Sequence, residues 1–190
     1  FAAGSLLGAA LLDVLPEALE GGGEGVLVYV LAGILSVLFF EKILGWYHHH
    51  DHESHKNLFS AQSILFGDVL HNFIDGIAIA LGFMISPQVG ITTTFAVFVH
   101  EIPQEIGDFG VLISQNYPKR KIIFYNLITA MATIVGAIIA YYFFPYLPPQ
   151  IIFYGLAFVA GTFIYISTAD LIPELRAQQL GEFGFFHTLI

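Results

Sequence analysis

Long apolar runs, broken by short polar stretches, set the pattern of this chain. Apolar positions dominate residues 1–19, 26–47, 60–85, 89–114, 121–144 and 151–173. Each run is close to the ~20 residues that an α-helix needs to cross a ~30 Å hydrocarbon core. A backbone in lipid must satisfy its own N–H and C=O groups, so the runs predict helices and not open strands. Polar linkers fall at 20–25, 48–59, 86–88, 115–120, 145–150 and around 175–181. All but the second are short, which makes sequence neighbours antiparallel. The pattern predicts an all-α, polytopic helical bundle, one transmembrane domain over 1–190 with six full spans. A further apolar run starts near Phe185, and Phe1 opens inside an apolar run with no Met or basic stretch ahead of it. Both ends are therefore expected to be incomplete.

Composition agrees with the pattern. Of 190 residues, 56% are hydrophobic and 11% charged, against roughly 25% charged in soluble domains; mean hydropathy is +0.76. The absence of Cys excludes disulfides, thiolate metal sites and thiol redox chemistry. A net charge of −9 argues against a nucleic-acid partner and leaves the lipid bilayer as the expected surroundings. All six basic residues sit at alternate linkers: Lys42 and Lys56 at the second, Lys119, Arg120 and Lys121 at the fourth, Arg176 at the sixth. The positive-inside rule makes those linkers cytoplasmic, and an integral protein of the plasma (inner) membrane is expected.

An internal repeat is visible. Phe1-x-Ala3-Gly4 followed by Asp13-x-x-Pro16-Glu17 recurs as Phe158-x-Ala160-Gly161 followed by Asp170-x-x-Pro173-Glu174, at constant offset and without gaps. The charge pattern makes the two copies run in opposite directions, which is the mark of inverted repeats in secondary transporters. Completing the repeat requires one span before Phe1 and one beginning near Phe185, eight in all, arranged as three, two and three.

Candidate chemistry concentrates in the third and fourth spans. The third holds Asp68, His71, Asn72 and Asp75-Gly76; the fourth holds His100-Glu101-x-Pro103-Gln104-Glu105-x-Gly107-Asp108. His71 and Asp75, like His100 and Gln104, are four apart and share a helix face. Ionisable groups in a span cost ~2.5–3.5 kcal/mol each at the midplane on insertion scales, and nothing basic lies in these spans to neutralise them. A divalent cation would. Imidazole with carboxylate suits Zn²⁺, Fe²⁺ or Mn²⁺, and the lack of sulfur ligands disfavours Cu⁺. Asp68, Glu105 and Asp108 are read as path residues or as outer partners of the ligands. Pro103 removes a backbone N–H and is expected to kink or loosen its turn. Asp13/Glu17 and Asp170/Glu174 fall by topology at the outer and inner mouths, where they either attract cations or are simply solvated. The cytoplasmic loop at 48–59 carries His48, His49, His50, His52 and His55 and is read as a weak ion buffer or sensor.

The pattern His71-Asn72-Phe73-x-Asp75-Gly76 with His100-Glu101-x-Pro103-Gln104-Glu105-x-Gly107-Asp108-Phe109 closely resembles the two signature helices of the ZIP family of divalent-metal transporters. The likeness extends to the His-rich loop and to the repeated Asp-x-x-Pro-Glu helices. It implies eight helices in a 3+2+3 inverted repeat, moving Zn²⁺ and related ions such as Fe, Mn or Cd toward the cytosol, often as a homodimer. It implies no enzyme and no organic cofactor, with zinc as cargo. It places His71, Asp75, His100 and Gln104 around one metal, with Asn72 and Glu101 beside where a second would sit. Two departures stand out. The better-known eukaryotic pattern has His where Gln104 stands, which bears on affinity and selectivity. Residues 121–144 offer no Asp or Glu, only Asn126, which argues against a two-metal centre.

Two other readings compete. His100-Glu101-x-x-Gln104 is one residue short of the H-E-x-x-H zinc site, so an intramembrane metalloprotease with Glu101 as general base is the rival. The missing second His and the intervening Pro103 weigh against it. A metal sensor would share the same site without transporting.

Overall fold

The computed structural model describes residues 2–44 and 61–173. Among the described residues every regular element is helical. The first rod is α1 (Ala2–Gly8), a π-helical turn (Ala9–Val14) and α2 (Leu15–Gly22), run together without a break. A 3₁₀ turn (Glu24–Val26) leads into α3 (Leu27–Leu44). Next come α4 (Ala61–Ile85), α5 (Pro87–Ser114) and α6 (Lys119–Phe143), which a 3₁₀ turn extends to Tyr146. α7 (Gln150–Tyr165) ends in a second π-helical turn (Ile166–Leu171).

The helices end where local chemistry ends them. Between α4 and α5 only Ser86 is outside a helix, tighter than the three-residue linker expected from the sequence. Its hydroxyl accepts from the Val89 N–H at 3.2 Å and Pro87 occupies the first turn, so both orphan-donor rules for a helix start are met. Gly23 and Asn116 take positive φ at the neighbouring turns, +68° and +64°, which glycine and asparagine tolerate best. α5 continues as one helix through Pro103.

Four rods share the core: the first rod, α4, α5 and α7 contribute Leu6, Ala9, Ala78, Ala96, Val159 and Phe163 to one buried cluster. α3 and α6 lie outside it and are fastened by glycine. A Cβ on Gly76 would strike the Thr133 carbonyl, and one on Gly136 would strike the Phe73 carbonyl, so α4 and α6 touch backbone to backbone. The same reciprocal contact joins α3 to α7, Gly33 against the Phe158 carbonyl and Gly161 against the Val30 carbonyl. Small residues that bring backbones together are the usual way to associate helices where lipid removes the hydrophobic drive. The outer face of α6 is left to Ile123, Phe124, Leu127, Met131 and Ile134, all about half exposed or more. Such a face is expected only against hydrocarbon.

Among the described residues four rods are long and apolar enough to cross a membrane: Ala2–Gly22, Leu65–Ile85, Lys119–Tyr146 and Gln150–Ala169. Six were expected. The stretch Glu24–Phe40 is apolar but shorter, and α5 has the length but carries His100, Glu101, Glu105 and Asp108 along its middle and lower half. Its polarity is the reason the sequence needs another explanation for it.

The glycine contacts give a direct test. Alanine is favoured over glycine in a helix by ~1 kcal/mol, yet Gly76→Ala should lower the thermal midpoint of the detergent-purified protein, because overpacking costs ~1–3 kcal/mol. Gly110→Ala, where no atom lies within 4 Å of the added Cβ, should leave the midpoint unchanged or raise it.

Candidate metal centre

Helix periodicity places His71 above Asp75 on one face of α4, and α5 turns His100 and Glu101 toward them. His71 Nε2 lies 3.1 Å from His100 Nε2. Asp75 Oδ2 is 3.1 Å from His100 Nε2 and 3.6 Å from His71 Nε2. Glu101 Oε1 is 3.4 Å from His71 Nε2 and 3.7 Å from His100 Nε2. All four atoms fall within 4.8 Å of one another.

The protonation of His100 follows from its neighbour. Its Nδ1 stands 3.1 Å from the Ala96 carbonyl, an oxygen that can only accept, so Nδ1 carries the proton and donates. Nε2 is then the ring nitrogen left facing the centre. Phe163 of α7 closes over the ring edge-on, centroids 6.0 Å apart, and His100 is 1% exposed. Asp75 is 2% exposed, and its Oδ2 is buried without a hydrogen-bond partner, as is Glu101 Oε1. Ring nitrogens and carboxylate oxygens from two helices therefore point at one another in a largely buried interior. Unpartnered buried polar atoms of this kind cost ~1–3 kcal/mol each, more when charged. A cation at the centre removes the conflict. Tetrahedral zinc with bonds of about 2.0–2.2 Å spaces its ligands about 3.3–3.6 Å apart, and the five distances above straddle that value.

A second group shares Glu101. Asp68, Glu101 and Glu105 each bring a carboxylate oxygen within 4.8 Å of the others. Asp68 is 2% exposed and takes a 2.8 Å hydrogen bond from Asn72 Nδ2. Asn72 also donates to the Asp68 carbonyl at 3.1 Å and accepts from Thr133 Oγ1 at 2.8 Å. Glu105 Oε2 is buried and unpartnered. Asn126 of α6 reaches the Glu105 carbonyl at 3.5 Å.

The remaining candidates distribute plainly. Gln104 is half-buried one turn beyond His100, and among the described residues its amide is not hydrogen-bonded to any of the four converging side chains. Asp108 is half-buried one turn further along α5. Asp13 sits in the first π-helical turn and Glu17 in α2, both half-buried and in neither group. Asp170 lies in the second π-helical turn, while Glu174 and the loop histidines His48, His49, His50, His52 and His55 lie outside the described residues. Thr133 and the Ala96 carbonyl are contributors with no motif of their own in the sequence. Their trace in the sequence is the spacing of Asn126, Thr129 and Thr133, a polar stripe at helical intervals on an otherwise apolar α6.

Comparison with known proteins points the same way. A family model described as ZIP Zinc transporter matches residues 48–188. The chain is 31% identical over 194 residues to the zinc transporter ZIP13 of Pongo abelii, an alignment covering 94% of this chain and 58% of that protein. It is 38% identical over 125 residues to the zinc transporter foi of Drosophila melanogaster, covering 65% of this chain and 17% of that one. With the zinc transporter ZIP10 of Homo sapiens it shares 36% identity over 142 residues, 68% of this chain and 17% of the relative. The chain thus spans less than two thirds of the length of each of these relatives.

Zinc should stabilise the purified protein by mass action, ~2.7 kcal/mol at one hundred times its dissociation constant. Asp75→Asn keeps the shape and removes the charge, and it should abolish most of the zinc-dependent rise in melting temperature. An undiminished rise in the variant would put the ion elsewhere.

Proposed function

The chain belongs to the ZIP zinc transporter family, and from that premise we propose that it carries Zn²⁺ across the membrane through the site between α4 and α5. The observation that carries the reading is the convergence of His71, Asp75, His100 and Glu101, two imidazoles and two carboxylates with their acceptor atoms within 4.8 Å. Mixed nitrogen and oxygen donors of this kind also accept Fe²⁺, Mn²⁺ and Cd²⁺, and the donor set alone does not choose among them.

Direction follows from charge. Lys42 is in the last turn of α3 and Lys119-Arg120-Lys121 open α6, ends that helix alternation puts on one side, and the positive-inside rule makes that side cytosolic. The second carboxylate group, Asp68 with Glu101 and Glu105, lies on the cytosolic side of the first, with Asp108 beyond it. An ion bound by the four-ligand group can pass to Glu101 and its neighbours without returning to water. Glu101 belongs to both groups, so the transfer exchanges ligands one at a time and avoids baring the ion in a low-dielectric interior. Asp75 Oδ2 and Glu101 Oε1, buried without hydrogen-bond partners, hold the ion through charge and not through a closed structural cage. Gln104, next along α5, stands where a departing ion could borrow an amide oxygen.

Support for the inverted repeat comes from the two π-helical turns. They fall at positions separated by the same offset that relates Phe1 to Phe158, each just ahead of a repeated proline. π turns inside α-helices are frequent at functional sites. The loop at 48–59 fits an ion buffer on the receiving side.

Nothing in the comparisons supports the protease reading. The position of Glu101 Oε1 among the ligating atoms also suits a ligand better than a general base, which has to stand back from the metal to activate water.

Reconstituted liposomes test the proposal. Wild-type protein should accumulate zinc inside vesicles, and Asp75→Ala should insert normally yet accumulate none. Wild-type uptake by that variant would reject the site, and peptide cleavage by wild-type protein would revive the protease. Deleting residues 48–55 should leave most of the uptake intact; complete loss would show that the loop does more than buffer.

A further inference from the structure

We propose that Thr133 of α6 is a positioning residue for ion release, acting through Asn72 on Asp68. The inference rests on the transport reading above and concerns a residue that does not itself touch the ion. It also gives Asn72 a role other than the one implied by its place in the signature motif: a strut, and not a ligand.

The hydrogen bonds fix the roles. Both donor contacts of the Asn72 amide go to Asp68, at 2.8 Å to the carboxylate and 3.1 Å to the carbonyl. Its oxygen is taken by the Thr133 hydroxyl at 2.8 Å. A flipped amide would set its oxygen against the Asp68 carboxylate, acceptor against acceptor. The Thr133 proton fixes the orientation from the other side, since a hydroxyl has one hydrogen and that hydrogen is spent on Asn72. Asn72 is 1% exposed and Asp68 2%, so water does not substitute for a lost partner at low cost. Thr133 is itself held in place, because it is the residue whose carbonyl presses on Gly76 at the closest approach of α4 and α6. α6 thus presents its hydroxyl from a fixed distance. The chain ends at Asp68, the carboxylate that joins Glu101 and Glu105 in the second group. Preset in that way, Asp68 is ready for an ion that Glu101 passes on. Without Thr133 the carboxylate keeps its charge but loses its fixed aim.

The consequence separates release from capture. Thr133→Val should lower the maximal rate of zinc uptake into liposomes about tenfold, within the roughly 10–100-fold that outer partners of metal ligands are worth. Equilibrium zinc affinity, measured by competition with a chromophoric chelator on the purified protein, should stay within twofold of wild type because the four-ligand group is untouched. Thr133→Ser should restore the rate, since it returns the hydroxyl. Asn72→Ala cuts the same strut from the α4 side. It should reproduce the low rate with zinc affinity retained, and combining it with Thr133→Val should be no worse than either alone. Unchanged uptake in Thr133→Val would overturn the proposal. So would loss of rate and affinity together, failure of Thr133→Ser to rescue, or a large affinity loss in Asn72→Ala, which would make Asn72 a ligand after all. If Thr133→Val does not fold, the Asn72→Ala and Thr133→Ser measurements decide alone. Failure of the transport reading shows separately, as no zinc uptake by the wild-type protein.

Discussion

Two imidazoles and two carboxylates crowded together across the α4–α5 interface are the constraint on which this structure depends. Asp75 Oδ2 and Glu101 Oε1 meet the His100 and His71 Nε2 atoms at 3.1–3.7 Å, and neither oxygen has a hydrogen-bond partner. In water such an arrangement would be screened and cheap; in a dry helical bundle it is not. Under the proposed function, a small and doubly positive ion would find that geometry ready. Preorganisation of this sort places the cost in folding instead of in binding.

What holds the geometry is backbone contact more than side-chain interlock. The buried core is mostly alanine and valine, filled out by leucines, isoleucines and Phe163, and the two reciprocal glycine crossings bring α6 onto α4 and α3 onto α7 with nothing between the main chains. Close-packed helices of this type resist small shifts, because a few tenths of an ångström already meets repulsion. That stiffness lets single hydrogen bonds such as Thr133 to Asn72 carry positional information. The aromatic side chains take the opposite role: Phe163 shields His100, and the phenylalanines of α6 face outward.

Much of this was legible in the sequence. The helices, their order and the pair that carries the chemistry follow from hydropathy and from the spacing of His71, Asp75 and His100, since a 3.6-residue period determines which side chains share a face. Periodicity within α5 pairs His100 with Gln104, but it cannot say that Glu101, only one residue on, swings into the same centre; that depends on how α5 is rotated against α4. Residues 121–144 hold no Asp or Glu. Asp68 and Glu105 supply oxygens from α4 and α5 themselves. Thr133 was illegible for another reason: threonine is common in membrane helices, and only a distance distinguishes one that bonds a buried amide from one that bonds its own helix, as Thr129 does with Tyr125 and Asn126.

The one-residue turn at Ser86 has a consequence for how such a protein is made. It joins the two ligand-bearing helices into a hairpin in which His71 and His100 are only 29 positions apart. The chain entropy of bringing them together grows only as the logarithm of that separation. Contacts so local form early, as they do in other proteins of low contact order. A ribosome that has delivered residues up to Ser114 has already delivered the four ligating side chains, and they can pair before α6 and α7 exist.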